Sequence, residues 1–203
     1  MIFTIEEMTF LCLIQNLNGL IGFPKFNILS KEQSENVIQS LTQKKILNEE
    51  KLLTDNGLKI SNIISLYAHS KMFYKFGKDS VFAKYHEKEY VMLSCIDNQY
   101  HVDLVNQDQI SLIIINKFQN WKSIKDGEYK KNFFPTSRFN EFVENNKNME
   151  SIFYYKADLE NKTDIKGVLF IHDGYLKSYD IKSEEIHFYP RAMVQQGIER
   201  ILG

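Results

Sequence analysis

Twice along this chain the spacing of apolar residues changes from about 3.6 to about two, and that switch limits the fold more than any single motif. Up to about residue 77 the pattern is helical. From Asp79 it alternates, and Ser80–His86, Glu89–Ile96 and Gln99–Val105 read as three consecutive strands. Their connectors, near Glu87-Lys88 and Asp97-Asn98, are short enough for antiparallel hairpins. A second helical stretch follows, and strands return at Ser151–Leu159, Ile165–His172 and Tyr175–Ile181, with His172-Asp173-Gly174 as a tight turn. The spacing therefore predicts an α+β protein in two halves, 1–106 and 107–203, each of helices followed by a three-strand meander. No Pro/Gly-rich linker separates the halves, so they are expected to pack as one compact domain whose meanders can join in a central antiparallel sheet.

The helical segments carry their own punctuation. A first helix is expected over Thr4–Leu17, with Thr4 and Glu7 as a capping box and Met8, Leu11, Cys12 and Gln15 on one face. Asn18 to Pro24 ends it in a turn. Ser30, with Gln33 three residues on, opens a second helix that buries Val37, Ile38 and Leu41 and ends near Ile46. Leu52 and Leu53 can anchor the connector in a core, and Thr54 is a good N-cap for a third helix carrying Leu58, Ile60, Ile63, Ile64 and Tyr67. That helix is expected to fade between Lys75 and Gly77. Beyond Asn106, a capping residue, Ile110, Ile113, Ile114, Phe118 and Trp121 fit a helix, although a run of isoleucines fits a strand equally well. Lys122–Pro135 is expected to be the least ordered stretch. A short helix over Ser137–Asn146, a fragment at Glu185–Tyr189 and a terminal helix from Pro190 complete the reading.

Composition narrows the function. With 43% hydrophobic and 13% aromatic residues the chain is rich in core and interface anchors. A formal charge of −1 gives no overall field to hold a polyanion. Cys12 and Cys95 lie in apolar runs and read as reduced thiols without metal-ligand spacing. The N-terminus has no basic n-region and no apolar run is long enough to cross a bilayer, so the expected compartment is the cytoplasm, without direct membrane insertion. Cys95, His101 and Asp103 fall within nine positions, but a nucleophilic site needs thiol and base within hydrogen-bond reach. The five histidines form no metal-binding pair, and no phosphate-cradling glycine motif is present. No catalytic, cofactor or metal residue is therefore assigned, and the chain reads as a non-enzyme. The other reading is a winged-helix-like DNA-binding regulator. Its recognition helix would be Glu32–Ile46, which offers phosphates only Lys44 and Lys45 near its end.

Three segments carry a family resemblance. Phe3-Thr4-Ile5-Glu6-Glu7-Met8-Thr9-Phe10-Leu11 is similar to an F-x-x-E-E-L-x-x-L opening. Leu41 to Leu47 with Leu52-Leu53-Thr54-Asp55-Asn56-Gly57-Leu58-Lys59 is similar to L-x-x-K-x-L-V … K-L-T-D-x-G-x-K. Glu89-Tyr90-Val91-Met92-Leu93-Ser94 resembles E-Y-I-L-L-S. All three occur in that order in the EspG-type cytosolic chaperones of type VII (ESX) secretion systems, and the chain resembles their Firmicute EsaE/EssE-like branch. The similarity covers mainly residues 3–105. It implies a pseudo-two-fold fold, a central antiparallel sheet flanked by two helical subdomains. It also implies a chaperone or adaptor without cofactor, which keeps helical secretion substrates soluble and directs them to the secretion ATPase. The partners implied are thus helical substrate proteins and not nucleic acid, with a homodimer left open. The residues expected to contact the substrate are Tyr90, Met92, Tyr100 and Val102 of the middle strands and Phe153 and Tyr155 of the second meander; plain sheet packing is the competing role for each.

Overall fold

A computed structural model describes residues 1–77, 79–118, 121–146, 149, 151–157 and 163–203. The first element is a two-residue strand, β1 (Ile2–Phe3), followed by α1 (Ile5–Leu13), α2 (Lys31–Gln43) and α3 (Asp55–Ala68). Four strands follow in sequence: β2 (Met72–Phe76), β3 (Ser80–His86), β4 (Glu89–Ile96) and β5 (Gln99–Asn106). The chain then forms α4 (Gln107–Lys117), β6 (Lys130–Phe133) and α5 (Thr136–Asn145). A second run of strands, β7 (Ser151–Ala157), β8 (Thr163–His172), β9 (Tyr175–Asp180) and β10 (Glu185–Tyr189), precedes α6 (Val194–Leu202).

All ten strands belong to one antiparallel sheet in the order β1-β5-β4-β3-β2-β7-β8-β9-β10-β6. Two four-strand meanders run outward from a central pairing of β2 with β7, in which Phe73 faces Tyr155 and Tyr74 faces Tyr154. Each meander ends on a short edge strand taken from the start of its own half, β1 on β5 and β6 on β10. Side chains alternate between the two faces. On one face α1–α3 cover Phe73, Val81, Val91, Leu93 and Val102, while Phe139 of α5 packs on Val168, Phe170 and Tyr179. On the opposite face α4 and α6 share a single core with Tyr74, Phe82, Tyr90, Ile152 and Leu169. The Leu202 carbonyl at the end of α6 accepts from Tyr74 Oη (3.2 Å), Tyr90 Oη (3.0 Å) and Lys84 Nζ (2.8 Å), so the last helix is tied to strands of the first half.

Local chemistry explains the element ends. Thr4 and Glu7 form a reciprocal capping box (2.8 and 3.2 Å), as do Ser30 with Gln33 and Asn106 with Gln109. The Asn106 box decides the isoleucine run in favour of helix, with Ile110, Ile114 and Phe118 buried at i, i+4 and i+8. Glu7 goes further. Only 1% exposed, it accepts from Lys44 Nζ (2.6 Å) and Ser40 Oγ (2.6 Å), while Lys44 also donates to the Ile2 carbonyl (3.0 Å). Burial works against the ionised carboxyl, but the bonds from Lys44, Ser40 and the Thr4 amide outweigh it and hold its pKa below 4.5. Thr54 accepts from the Gly57 amide (3.1 Å) and donates to the Lys45 carbonyl (2.6 Å), closing a small hairpin in which Leu47 bridges Leu53. Helix and hairpin touch at Gly57, where a Cβ would sit 2.2 Å from the Ile46 carbonyl oxygen.

Several expectations are corrected. The first helix stops at Leu13 instead of Leu17, and the third stops at Ala68, with β2 occupying the stretch where it was expected to fade. β2 lacked an alternation signal because apolar residues occupy both of its faces: Phe73 is buried under α3 on one side, Met72, Tyr74 and Phe76 pack on the other, and Lys75 is its exposed residue. Lys122–Pro135 contains β6, whose residues are all exposed and so carry no apolar pattern. Leu52 and Leu58 are 60% and 56% exposed and anchor nothing; Leu53 alone of the connector pair packs on the core. The expected strand end at Leu159 lies outside the described residues.

Two substitutions test these contacts. Gly57→Ala should lower the unfolding free energy by about 1–3 kcal/mol in urea titrations, the usual cost of overpacking. Lys44→Met should cost about 1–2 kcal/mol at neutral pH, after allowing for solvent screening of a cation one-third exposed. Because the Glu7 pKa is depressed in the folded state, this contribution is present above the ordinary carboxyl pKa and lost as pH falls through the folded one. The gap between variant and wild type should therefore close in acid.

Candidate functional site

Between the two helical lobes on the α1–α3 face, the sheet is left open along the β2–β7 seam. The opening is a cleft of about 1040 Å³. Its floor is Lys75 of β2, Phe153 and Tyr155 of β7 and Ile165 of β8, and Met149 closes the end next to α5. One wall is the long connection between α1 and α2, residues 18–26. Connections of this length without regular structure are uncommon in a packed domain and are often functional.

That wall is fastened in place. Gly22 adopts a φ of +77°, and a Cβ there would lie 2.4 Å from Val81 Cγ2, so only glycine lets the loop press on β3. The buried Tyr67 hydroxyl of α3 donates to the Ile21 carbonyl. Phe23 rests on Tyr100 with ring centroids 4.3 Å apart and meets Phe26 edge-on at 5.6 Å. The rings are thus presented by a braced segment of backbone.

Among the described residues the lining is apolar and aromatic with two cations, Lys25 and Lys75, and includes no carboxylate, imidazole or thiol. Tyr155, 7% exposed, stacks on Phe73, and burial pushes its phenol up to about 12, so it meets a ligand as a neutral hydroxyl. Ile165 is 48% exposed. Asn18 and Phe26 also line a neighbouring apolar hollow of about 520 Å³ with Leu13, Ile14 and Ile28. Ile28 is 98% exposed and Leu13 and Ile14 are each 44% exposed, so the hollow presents several apolar side chains to solvent.

The six residues expected to bind a partner fall in three places. Phe153 and Tyr155 come together in the cleft floor. Tyr100 and Val102 are buried beneath the α1–α3 lobe. Tyr90 and Met92 lie on the opposite face, Tyr90 fully buried with its hydroxyl on Leu202 and Met92 packed against the same core. The four middle-strand residues therefore share no open face: each packs in a core under the helices on its own side of the sheet. Phe23, Phe26 and Ile165 were not anticipated. The signal available was the density of apolar residues in Gly19-Leu20-Ile21-Gly22-Phe23-Pro24-Lys25-Phe26, too many for a solvated turn.

Other candidates resolve simply. Cys95 pairs with Tyr100 across β4–β5 and shares its face, whereas His101 and Asp103, one and three residues on from Tyr100, point to the other face. The three do not converge. Among the described residues no group of three or more His, Cys, Asp or Glu side chains is placed to hold a metal ion. Among the same residues no helix is long and apolar enough to cross a membrane.

No curated protein matches the sequence. Residues 1–160 of the 203 match the sequence model of a family described as a domain of unknown function, DUF5081, a span that runs from β1 through β7 and contains most of the cleft. The chain belongs to the DUF5081 family.

Proposed function

We propose that this protein is a cytosolic chaperone or adaptor that receives a helical segment of another protein in the seam cleft, and that its doubled layout is an EspG-like pseudo-two-fold fold serving type VII secretion. The observation that carries the reading is the cleft: a braced, aromatic, largely apolar channel left uncovered between two helical lobes packed on that face. Aromatic anchors set in a groove are what binding hot spots are made of.

Backbone hydrogen bonding favours a helical guest. The floor strands β2, β7 and β8 are each paired on both sides, so an extended peptide lying on them finds no free ladder to join. A helix brings its own hydrogen bonds and can bury an apolar face without stranding amides or carbonyls. Lys25 and Lys75 suit a guest with acidic residues flanking that face. Continuity through Asn18 and Phe26 to the hollow around Ile28 lengthens the available surface. The DNA-binding reading is less well supported, because Lys44, one of its two cations, is committed to Glu7.

Co-expression with a helical secretion substrate should give a soluble complex that co-elutes on size exclusion. Ile165→Asp, at a position 48% exposed, should leave folding intact by circular dichroism and weaken binding by at least about tenfold, the effect of placing a charge in an apolar contact. Phe153→Ala should act in the same direction. An unchanged affinity in both variants, or a substrate that stays insoluble and unbound, would remove the cleft from the account.

A further inference from the structure

On the opposite face of the sheet, beside α6, lies a smaller hollow of about 170 Å³, lined by Tyr154, Ser178, Asp180, His187 and Arg200 among others. It has room for about five waters at roughly 30 Å³ each. Here the apolar core gives way to polar groups. Ser178 of β9 and His187 of β10 are direct cross-strand partners. His187 is only 1% exposed.

The state of that imidazole follows from its neighbours. The Tyr129 hydroxyl lies 2.5 Å from Nδ1, and the two rings stack with centroids 6.0 Å apart. With the phenol donating to Nδ1, the ring proton of the neutral imidazole sits on Nε2. Nε2 is the buried side-chain nitrogen or oxygen that lacks a hydrogen-bond partner among the described residues. Glu185 Oε2 is 3.6 Å away, too far for a hydrogen bond, and that carboxylate is engaged by Lys131 at 2.5 Å. Buried donors without an acceptor are rare enough to call for a missing partner.

The other groups define what such a partner must be. Arg200 is exposed at the end of α6 and, among the described residues, forms no ion pair. The Ser178 hydroxyl is hydrogen-bonded to Tyr189 Oη at 3.3 Å, and with Tyr189 as the donor of that bond the Ser178 proton can turn toward the hollow. Asp180 Oδ1 already accepts from the Ser183 amide (2.8 Å) and hydroxyl (3.1 Å), which leaves Oδ2 as an acceptor. Arg200, which also bonds Tyr189, His187 Nε2–H, the Ser178 hydroxyl and one Asp180 oxygen thus line a hollow roomy enough for a small oxyanion.

We propose that this hollow binds a small oxyanion that retains a proton, with hydrogen phosphate as its ligand. Arg200, His187 Nε2–H and Ser178 donate to three phosphate oxygens, and Asp180 accepts from the P–OH. Sulfate has no such proton at neutral pH and would set its charge against the Asp180 carboxylate. The occupied site would also fasten α6 to β9 and β10. It lies on the other side of the sheet from the seam cleft, so it stands or falls apart from the chaperone reading.

Titrating the full chain with inorganic phosphate, and separately with sulfate at matched ionic strength, tests the site through the His187 side-chain nitrogen resonances. Phosphate should move Nε2 saturably and raise Tm, with sulfate at least about tenfold weaker. Arg200→Gln, at an exposed position, should weaken phosphate at least about tenfold. Asp180→Asn should bring sulfate close to phosphate, because the amide can donate where the carboxylate repelled. A His187 signal indifferent to phosphate would mean that the hollow holds water only. Equal responses to the two anions in the wild type, or an unaltered response in Arg200→Gln, would likewise overturn the assignment. The wild-type comparison decides even if Asp180→Asn is too unstable to use.

Discussion

The pairing of β2 with β7 is the contact on which the rest of the molecule depends. Met72–Phe76 lies antiparallel to Ile152–Lys156, and through that seam two four-strand meanders become one ten-stranded sheet. The seam carries stacked aromatic pairs on both faces, Phe73 on Tyr155 and Tyr74 on Tyr154, which adds side-chain cohesion to the ladder. It also removes two edges that would otherwise be open to pairing with other chains. Behind the seam, α4 and α6 close a common core, and the Leu202 carbonyl takes three donors from β2, β3 and β4. In front of it, among the described residues, no helix crosses the cleft. The join is thus sealed on one face and open on the other, and the open side is the cleft.

How much of this could be read from the residues depended on where each element lies. β3, β4 and β5 were legible nearly to the residue because their hairpin turns at Glu87-Lys88 and Asp97-Asn98 are polar and abrupt. The capping boxes at Thr4 and Ser30 were legible because the pairing is local. β2 was hidden because apolar residues occupy both of its faces, Phe73 on one and Met72, Tyr74 and Phe76 on the other, and erase the alternation that betrays a half-buried strand. β6 was hidden for the opposite reason, having no buried residue at all. The β2–β7 pairing itself was not visible, since nothing local to residues 72–76 names a partner nearly eighty positions away.

The same logic separates the recognisable motifs from the candidate site. Glu7 is the capping and ion-pairing residue that fixes α1 to α2 and β1. Thr54 and Gly57 shape the α2–α3 hairpin, and Tyr90 anchors α6. Each is a structural residue, so the segments that resemble a chaperone family speak to fold. The groups available to a partner, Phe23, Phe26, Ile28 and Ile165, lie on a loop and at the rim of a strand, where no fold-level pattern constrains them. Only the braces that hold the loop, Gly22 and Tyr67, are subject to such a constraint.

If the two meanders form a single cooperative body, the floor of the cleft is rigid and the proposed guest would meet a preformed surface. Native-state amide hydrogen exchange of the β2 and β7 amides measures this directly. The account predicts that the amides of β2 and β7 that are bonded across the seam exchange only through global unfolding, as slowly as those in the middle of β4. Seam amides that open well before the meanders themselves would show two separable halves, and would contradict the continuous sheet on which both the cleft and its proposed use rest.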